Sequence, residues 1–265
     1  MRKKIWMILL TVTLFLSGAF LGVSTVYRTQ EVTVCASLVS KAAEQEVNAL
    51  QAELNEKYDK ISMFTVDETL AKQTLSAYPY LRLTGFEKAF PNRIIISVAE
   101  DEEMYAVQTA NDTQMHYILN QNGIVLGIRE DTKNRSDNAE NLPIIGLTAT
   151  GEKGTMLTGD ACLETLFSFL NEVSLSLNGI RRNVIKVEVI RRAALEEETV
   201  FKLCMSEGVN VYVRNPSAMT KEKAQTAINA YLSLTSEQKL KGMIMLSDVN
   251  GVLEYAYTPL DALAK

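Results

Sequence analysis

From Ile5 to Val26 the chain runs for 22 residues without a charged side chain. At about 1.5 Å per residue that length spans roughly 33 Å as a helix, enough to cross a hydrocarbon core of about 30 Å. A cleaved export signal has a shorter apolar region and ends on a small-x-small site, which Gly22 to Val26 (GVSTV) supplies poorly. The segment therefore reads as a retained membrane helix. Arg2, Lys3 and Lys4 precede it and Arg28 alone follows closely, so the positive-inside bias leaves residues 1–4 as a cytoplasmic stub. Everything after Tyr27 is expected outside the membrane, with a single pass and an extracytoplasmic C-terminus.

The remainder has an ordinary globular composition, with 47% hydrophobic residues and a net charge of −5 over 265 residues. Glu31 to Ser37 (EVTVCAS) alternates like a strand. Ala43, Val47, Leu50 and Leu54 then form one stripe of an amphipathic helix entered at Ser40. Thr65 and Glu68 have capping-box spacing, which predicts a second helix from near Val66 that Pro79 stops near Tyr78. Pro91 and Asn92 supply turn chemistry, and after them Ile94, Ile96 and Val98 alternate with Ile95, Ser97 and Ala99. The acids Glu100 to Glu103 end that strand and read as a solvated edge.

Strand, helix, helix, strand, strand directly after one membrane helix resembles the POTRA domain of the bacterial division proteins FtsQ/DivIB. The resemblance rests on Tyr78, Pro79, Tyr80 and Leu81 before the hairpin, Phe90 to Arg93 (FPNR) at its tip, and Glu87 to Glu100 (EKAFPNRIIISVAE) through it. Where that family carries Arg-x-Pro after the Glu, this chain has Asp101, Glu102 and Glu103. Past Met104 short strands are expected at 104–109, 115–119 and 124–128, with turns at Asn111-Asp112 and Asn122-Gly123. Tyr117 to Val125 (YILNQNGIV), followed after a polar loop by Leu142 to Gly146 (LPIIG), is similar to the β-domain of the same family.

Asp160 is placed to cap a helix whose Leu163, Leu166, Phe167, Leu170 and Leu177 share a face, ending at Asn178-Gly179. Ile185, Val187 and Val189 alternate, then Phe201, Leu203 and Met205, then Val209, Val211 and Val213; Ala224, Ala227, Ile228 and Tyr231 mark another helix. Gly242 to Leu246 and Val252 to Tyr257, joined through Asn250-Gly251, form a closing hairpin. The expected fold class is α+β: a membrane helix at 5–26, a POTRA-like domain at 27–103, a larger domain of hairpins with flanking helices at 104–258, and a tail at 259–265.

Catalytic equipment is sparse. His116 is the sole histidine and reads as solvent-facing on a half-buried strand. No phosphate loop, dinucleotide fingerprint, serine elbow or metal-binding histidine pair occurs. Cys35, Cys162 and Cys204 lack metal-ligand spacing and permit one bridge at most, with Cys162 expected on an apolar helix face. Arg181-Arg182 and Arg191-Arg192 read as loop charges, and an acidic exported chain offers little to nucleic acid. No cofactor, metal or small-molecule substrate is implied; of the two classes left open, a membrane-anchored interaction scaffold, which needs only surfaces and exposed strand edges, is favoured over an envelope enzyme with an unrecognised site.

The resemblance implies a divisome protein that docks small bitopic partners of the FtsL and FtsB/DivIC type and regulates septal peptidoglycan synthesis. The alternative is a docking subunit of another envelope assembly, for secretion or sporulation, using a similar module. The partner site is expected on the last strand, at Val252, Leu253, Glu254, Tyr255, Ala256 and Tyr257, because a final strand can leave one edge unpaired. In the resembled family the C-terminal part of the β-domain receives FtsB/DivIC.

Overall fold

The computed structural model describes residues 11–14, 26–38, 40–192 and 198–259. Apart from Thr11 to Leu14 and Val26, the candidate membrane segment lies outside the described residues, as does the tail beyond Pro259. Among the described residues no helix is long and apolar enough to cross a membrane. The chain is mixed α+β and divides into two compact units, Met1–Asp101 and Glu102–Lys265.

The first unit runs β1 (Glu31–Ser37), α1 (Lys41–Tyr58), α2 (Thr69–Leu75), β2 (Leu81–Ala89) and β3 (Arg93–Glu100). Its sheet has the order β1-β3-β2. β1 lies parallel to β3, Glu31 opposite Arg93, and β2 lies antiparallel to it. Parallel pairing forces the chain back to its starting end, a return that the two helices and β2 supply. The alternation after Pro91 has its expected consequence: Ile94, Ile96 and Val98 are buried, as is the α1 stripe of Ala43, Leu50 and Leu54, which extends to Tyr58. Each large apolar side chain so buried contributes about 1.5–3 kcal/mol. Ser40 caps α1, its hydroxyl accepting from the Ala43 amide at 3.2 Å.

Two expectations for this unit fail. The second helix begins at Thr69 rather than near Val66, and ends at Leu75. Val66 is buried and its amide donates to Ser62 O, while Thr65 Oγ1 also donates to Ser62 O, so a turn consumes the residues that a capping box needs. Asp67 Oδ1 instead accepts from the Thr69 amide at 3.0 Å. The acidic run is not a solvated edge either. Glu100 is buried and accepts from the Ser40 amide at 2.8 Å, tying the end of β3 to the start of α1.

The second unit carries β4 (Tyr105–Gln108), β5 (His116–Leu119), β6 (Val125–Arg129), β7 (Leu142–Ile145), α3 (Leu163–Ser176), β8 (Val184–Arg192), β9 (Glu198–Met205), β10 (Asn210–Arg214), α4 (Thr220–Leu232), α5 (Ser236–Leu240), β11 (Met243–Val249) and β12 (Val252–Thr258). All nine strands join one sheet, ordered β12-β11-β10-β9-β8-β7-β4-β5-β6. β7 enters between β4 and β8, parallel to both. Leu166, Phe167, Leu170 and Val173 of α3 and Ala224, Ala227, Ile228 and Tyr231 of α4 bury against Phe201, Leu203, Val211 and Val213 of the sheet. Gly123 is required in its turn: at φ +80°, a Cβ would lie 2.3 Å from the Phe167 ring.

Three readings are corrected here. β8 does not alternate as Ile185, Val187, Val189, because the register against β9 shifts between Val184 and Lys186. Ile185 is the extra residue of this bulge and points to solvent, while Val184, Val187 and Val189 are buried. Asp160 does not cap α3, whose N-cap position is Cys162; its carboxylate accepts instead from the Thr148 and Cys162 amides and pairs with Arg191. Arg191 is thus a strand residue with fixed partners, also donating to Gly146 O at 2.9 Å, whereas Arg181 and Arg182 do lie in a turn.

Candidate functional site

A sheet edge offers a row of unpaired backbone donors and acceptors, so each edge is either protected or able to bind a strand. The two sheets have four outer strands, β1, β2, β6 and β12. Along β1, the amides of Val32 and Val34 are taken by Asn55 Oδ1 and Gln51 Oε1 of α1, and Gln51 Nε2 returns a bond to Val32 O. β2 carries Arg82, Glu87 and Lys88 and a register break between Leu83 and Gly85, both of which discourage pairing. The start of β6 is covered by residues 154–157, with the Val125 amide donating to Thr155 O at 2.9 Å and the Gly154 amide to Val125 O at 2.8 Å.

Among the described residues, β12 has none of these devices. It is paired along its length with β11, from Val249 opposite Val252 to Met243 opposite Thr258, and has no strand on its other side among the described residues. Its seven residues, VLEYAYT, contain one charge, Glu254, and no proline. The hairpin that delivers it turns at Asn250 (φ 57°) and Gly251 (φ 80°), the paired left-handed geometry that Asn-Gly favours. The Gly251 amide donates to Asp248 Oδ1 at 2.7 Å, which fixes the turn.

The six residues singled out from the sequence divide into two groups. Leu253 and Tyr257 lean onto the hydrophobic core, and the Tyr257 hydroxyl donates to Lys241 O at 2.8 Å. A Cβ at position 242 would come 2.8 Å from the Tyr257 ring, so Gly242 admits that ring and Tyr257 serves the fold. Val252 and Tyr255 are 60% and 52% exposed, and Glu254 and Ala256 are exposed as well. Tyr255 shares the side of the strand taken by Leu253 and Tyr257 and is the aromatic left available to a partner.

Reactive groups are poorly placed for chemistry. His116 stands opposite Gln108 on β4 and Arg129 on β6 and is half-buried rather than solvent-facing, with Nδ1 buried and unbonded. All three cysteines are free thiols. Burial and the adjacent Asp160 carboxylate push the Cys162 thiol up to about 11, and burial also raises that of Cys204. Both are therefore poor sources of thiolate near neutral pH. No group of three or more His, Cys, Asp or Glu side chains suited to a metal occurs among the described residues.

Among the charged residues buried in this unit are Glu103, which the sequence places in a solvated acidic run, and Lys223, which it does not flag. Glu103 is buried and receives two hydrogen bonds from Arg129, at 2.9 and 2.7 Å, one from the Arg135 amide at 3.1 Å and one from Asn141 Nδ2 at 3.2 Å. Lys223 is fully buried on α4, donates to Asn215 O at 2.7 Å, and its ammonium is held below the usual lysine range by burial. Against known proteins, no family model and no curated protein matches the chain.

Proposed function

We propose that the chain is a membrane-anchored, extracytoplasmic scaffold of the bacterial division machinery rather than an enzyme. It docks small bitopic proteins of the FtsL and FtsB/DivIC type and through them regulates septal peptidoglycan synthesis. The observation that carries the reading is the β12 edge, the one outer strand of the four that, among the described residues, is left without covering side chains, covering backbone or clustered charge. A partner strand added there gains backbone hydrogen bonds, and Tyr255 and Val252 supply side-chain contacts. The strand-helix-helix-strand-strand order of the first unit, with β1 parallel to β3, supports the same reading.

Co-purification from crosslinked membranes tests it: short single-span division proteins should come down with the chain. Recovery of secretion or sporulation components in their place would overturn the divisome assignment. The topology has its own check. Protease added to intact protoplasts should digest the chain from about Arg28 onward, and protection behind a sealed membrane would refute the exported placement.

A further inference from the structure

Three aromatic rings meet on the surface of the first unit, at the point where the chain enters it. Tyr27 lies 5.2 Å from Phe64 and 6.1 Å from Phe90, and Phe64 lies 6.0 Å from Phe90, centroid to centroid. These are ordinary aromatic packing distances, yet the cluster is not a core. Phe64 is 62% exposed, Phe90 53% and Val26 52%. Phe64 sits in the turn between α1 and α2 and Phe90 at the tip of the β2-β3 hairpin, so two loops distant in sequence bring large apolar rings to one exposed spot.

The chain around Tyr27 is fastened to the same two loops. The Met63 amide donates to Tyr27 O at 2.8 Å, Arg28 bridges Ser62, the Thr29 amide donates to Ile61 O at 2.8 Å, and the Gln30 amide donates to Asn92 O at 2.9 Å. No slack separates the uncharged segment ending at Val26 from the folded unit beginning at Tyr27. With Val26 at the edge of the hydrocarbon, Tyr27 and rings about 6 Å from it fall within the interfacial layer, which is roughly 5–8 Å deep on each side.

We propose that Tyr27, Phe64 and Phe90 form an interfacial anchor that seats the first unit against the lipid headgroup region. This rests on the reading of Ile5–Val26 as a membrane helix. Aromatic rings favour that layer, where the Tyr27 hydroxyl reaches water and the phenyl rings leave it. The partner is the bilayer surface itself, and the seat fixes the orientation of the first unit relative to the membrane plane.

The sequence provides its own probe, since Trp6, inside the uncharged segment, is the single tryptophan. The full chain is reconstituted into phosphatidylcholine vesicles with brominated acyl chains. Quenching of Trp6 in the parent protein reports on the membrane helix alone. In a Trp6→Phe background, Phe64→Trp and Phe90→Trp should show blue-shifted emission and be quenched by shallow-brominated lipid several-fold more strongly than tryptophan placed at Leu240, an exposed site in the second unit. If Trp6 is quenched while the loop tryptophans behave like the Leu240 probe, the interfacial anchor is wrong and the membrane helix stands. Loop tryptophans shielded from acrylamide but untouched by lipid would mean a protein surface covers the cluster, again overturning the proposal. An unquenched Trp6 would remove the membrane helix and the anchor together.

Discussion

Tyr255→Asp, and one of the two proline variants Tyr255→Pro and Ala256→Pro, should abolish partner recruitment while leaving the second unit folded. Successive amides in a strand point to opposite edges, so one proline strips a donor from the open side of β12 and the other a bond to β11. The outward variant leaves the ladder of Met245 opposite Ala256 and Leu246 opposite Tyr255 in place and removes part of the docking edge; the inward variant weakens the hairpin. Tyr255 is about half exposed, so Asp there changes stability by about 0.5 kcal/mol or less. At a docked edge it discards an aromatic contact often worth about 2 kcal/mol, roughly thirtyfold in affinity. Pull-down from membranes, with abundance and protease resistance measured alongside, gives the readout. Recruitment at the parent level by all three variants, folded and membrane-inserted, places the site elsewhere.

What the chain revealed in advance was local. Pro91-Asn92 and Asn250-Gly251 mark their turns because a turn is decided by the dihedral preferences of two residues, and both hairpins are present. The stripes of α1, α3 and α4 are buried as their spacing predicts, apart from Val47 and the C-cap residue Leu177, which are half-buried, since a helix face is defined by its own residues. That β12 is a strand was legible in the same way. Its place at the end of nine strands was not, because that depends on β10 pairing in parallel with β11 across the α4 and α5 crossover. The protection of the rival edges is equally non-local: Gln51 reads as a polar helix residue until its side chain is seen bonded to both Val32 and Val34.

The misreadings share a cause. Ile185 continues a perfect alternation, and the bulge that ejects it is set by the neighbouring strand. Lys223 follows Thr220, Lys221 and Glu222 and resembles the charged first turn of a surface helix, while its burial comes from folding the β10-α4 connection over it. Asp160 precedes an apolar run as a cap would, yet Arg191 on a distant strand shares its carboxylate. Sequence periodicity carries the hydrophobic plan and says little about which charges that plan encloses.

Glu103 is where that blindness has the largest energetic consequence. In the string Glu100 to Glu103 its side chain looks interchangeable with Glu102, but Glu102 is exposed and Glu103 is sealed beneath the 130–141 loop. Its partners are 26 residues away at Arg129 and 38 away at Asn141, and Asn134 Nδ2 also donates to the Glu103 carbonyl at 2.6 Å. Glu103→Ala takes the carboxylate hydrogen-bonded to the mostly buried Arg129, leaving its guanidinium on the Asp131 and Lys133 carbonyls, and leaves the Arg135 amide and the Asn141 amide group without their carboxylate. Breaking a buried pair from one side costs about 3–5 kcal/mol, against a total stability of roughly 5–15 kcal/mol for a domain. Glu103→Gln restores one acceptor oxygen but not the charge, and should fall between alanine and the parent. Glu102→Ala should shift stability by no more than about 0.5 kcal/mol. Urea unfolding of the detergent-solubilised chain followed by near-ultraviolet circular dichroism measures all three, and a Glu103→Ala midpoint indistinguishable from that of Glu102→Ala would show that the loop does not depend on this carboxylate.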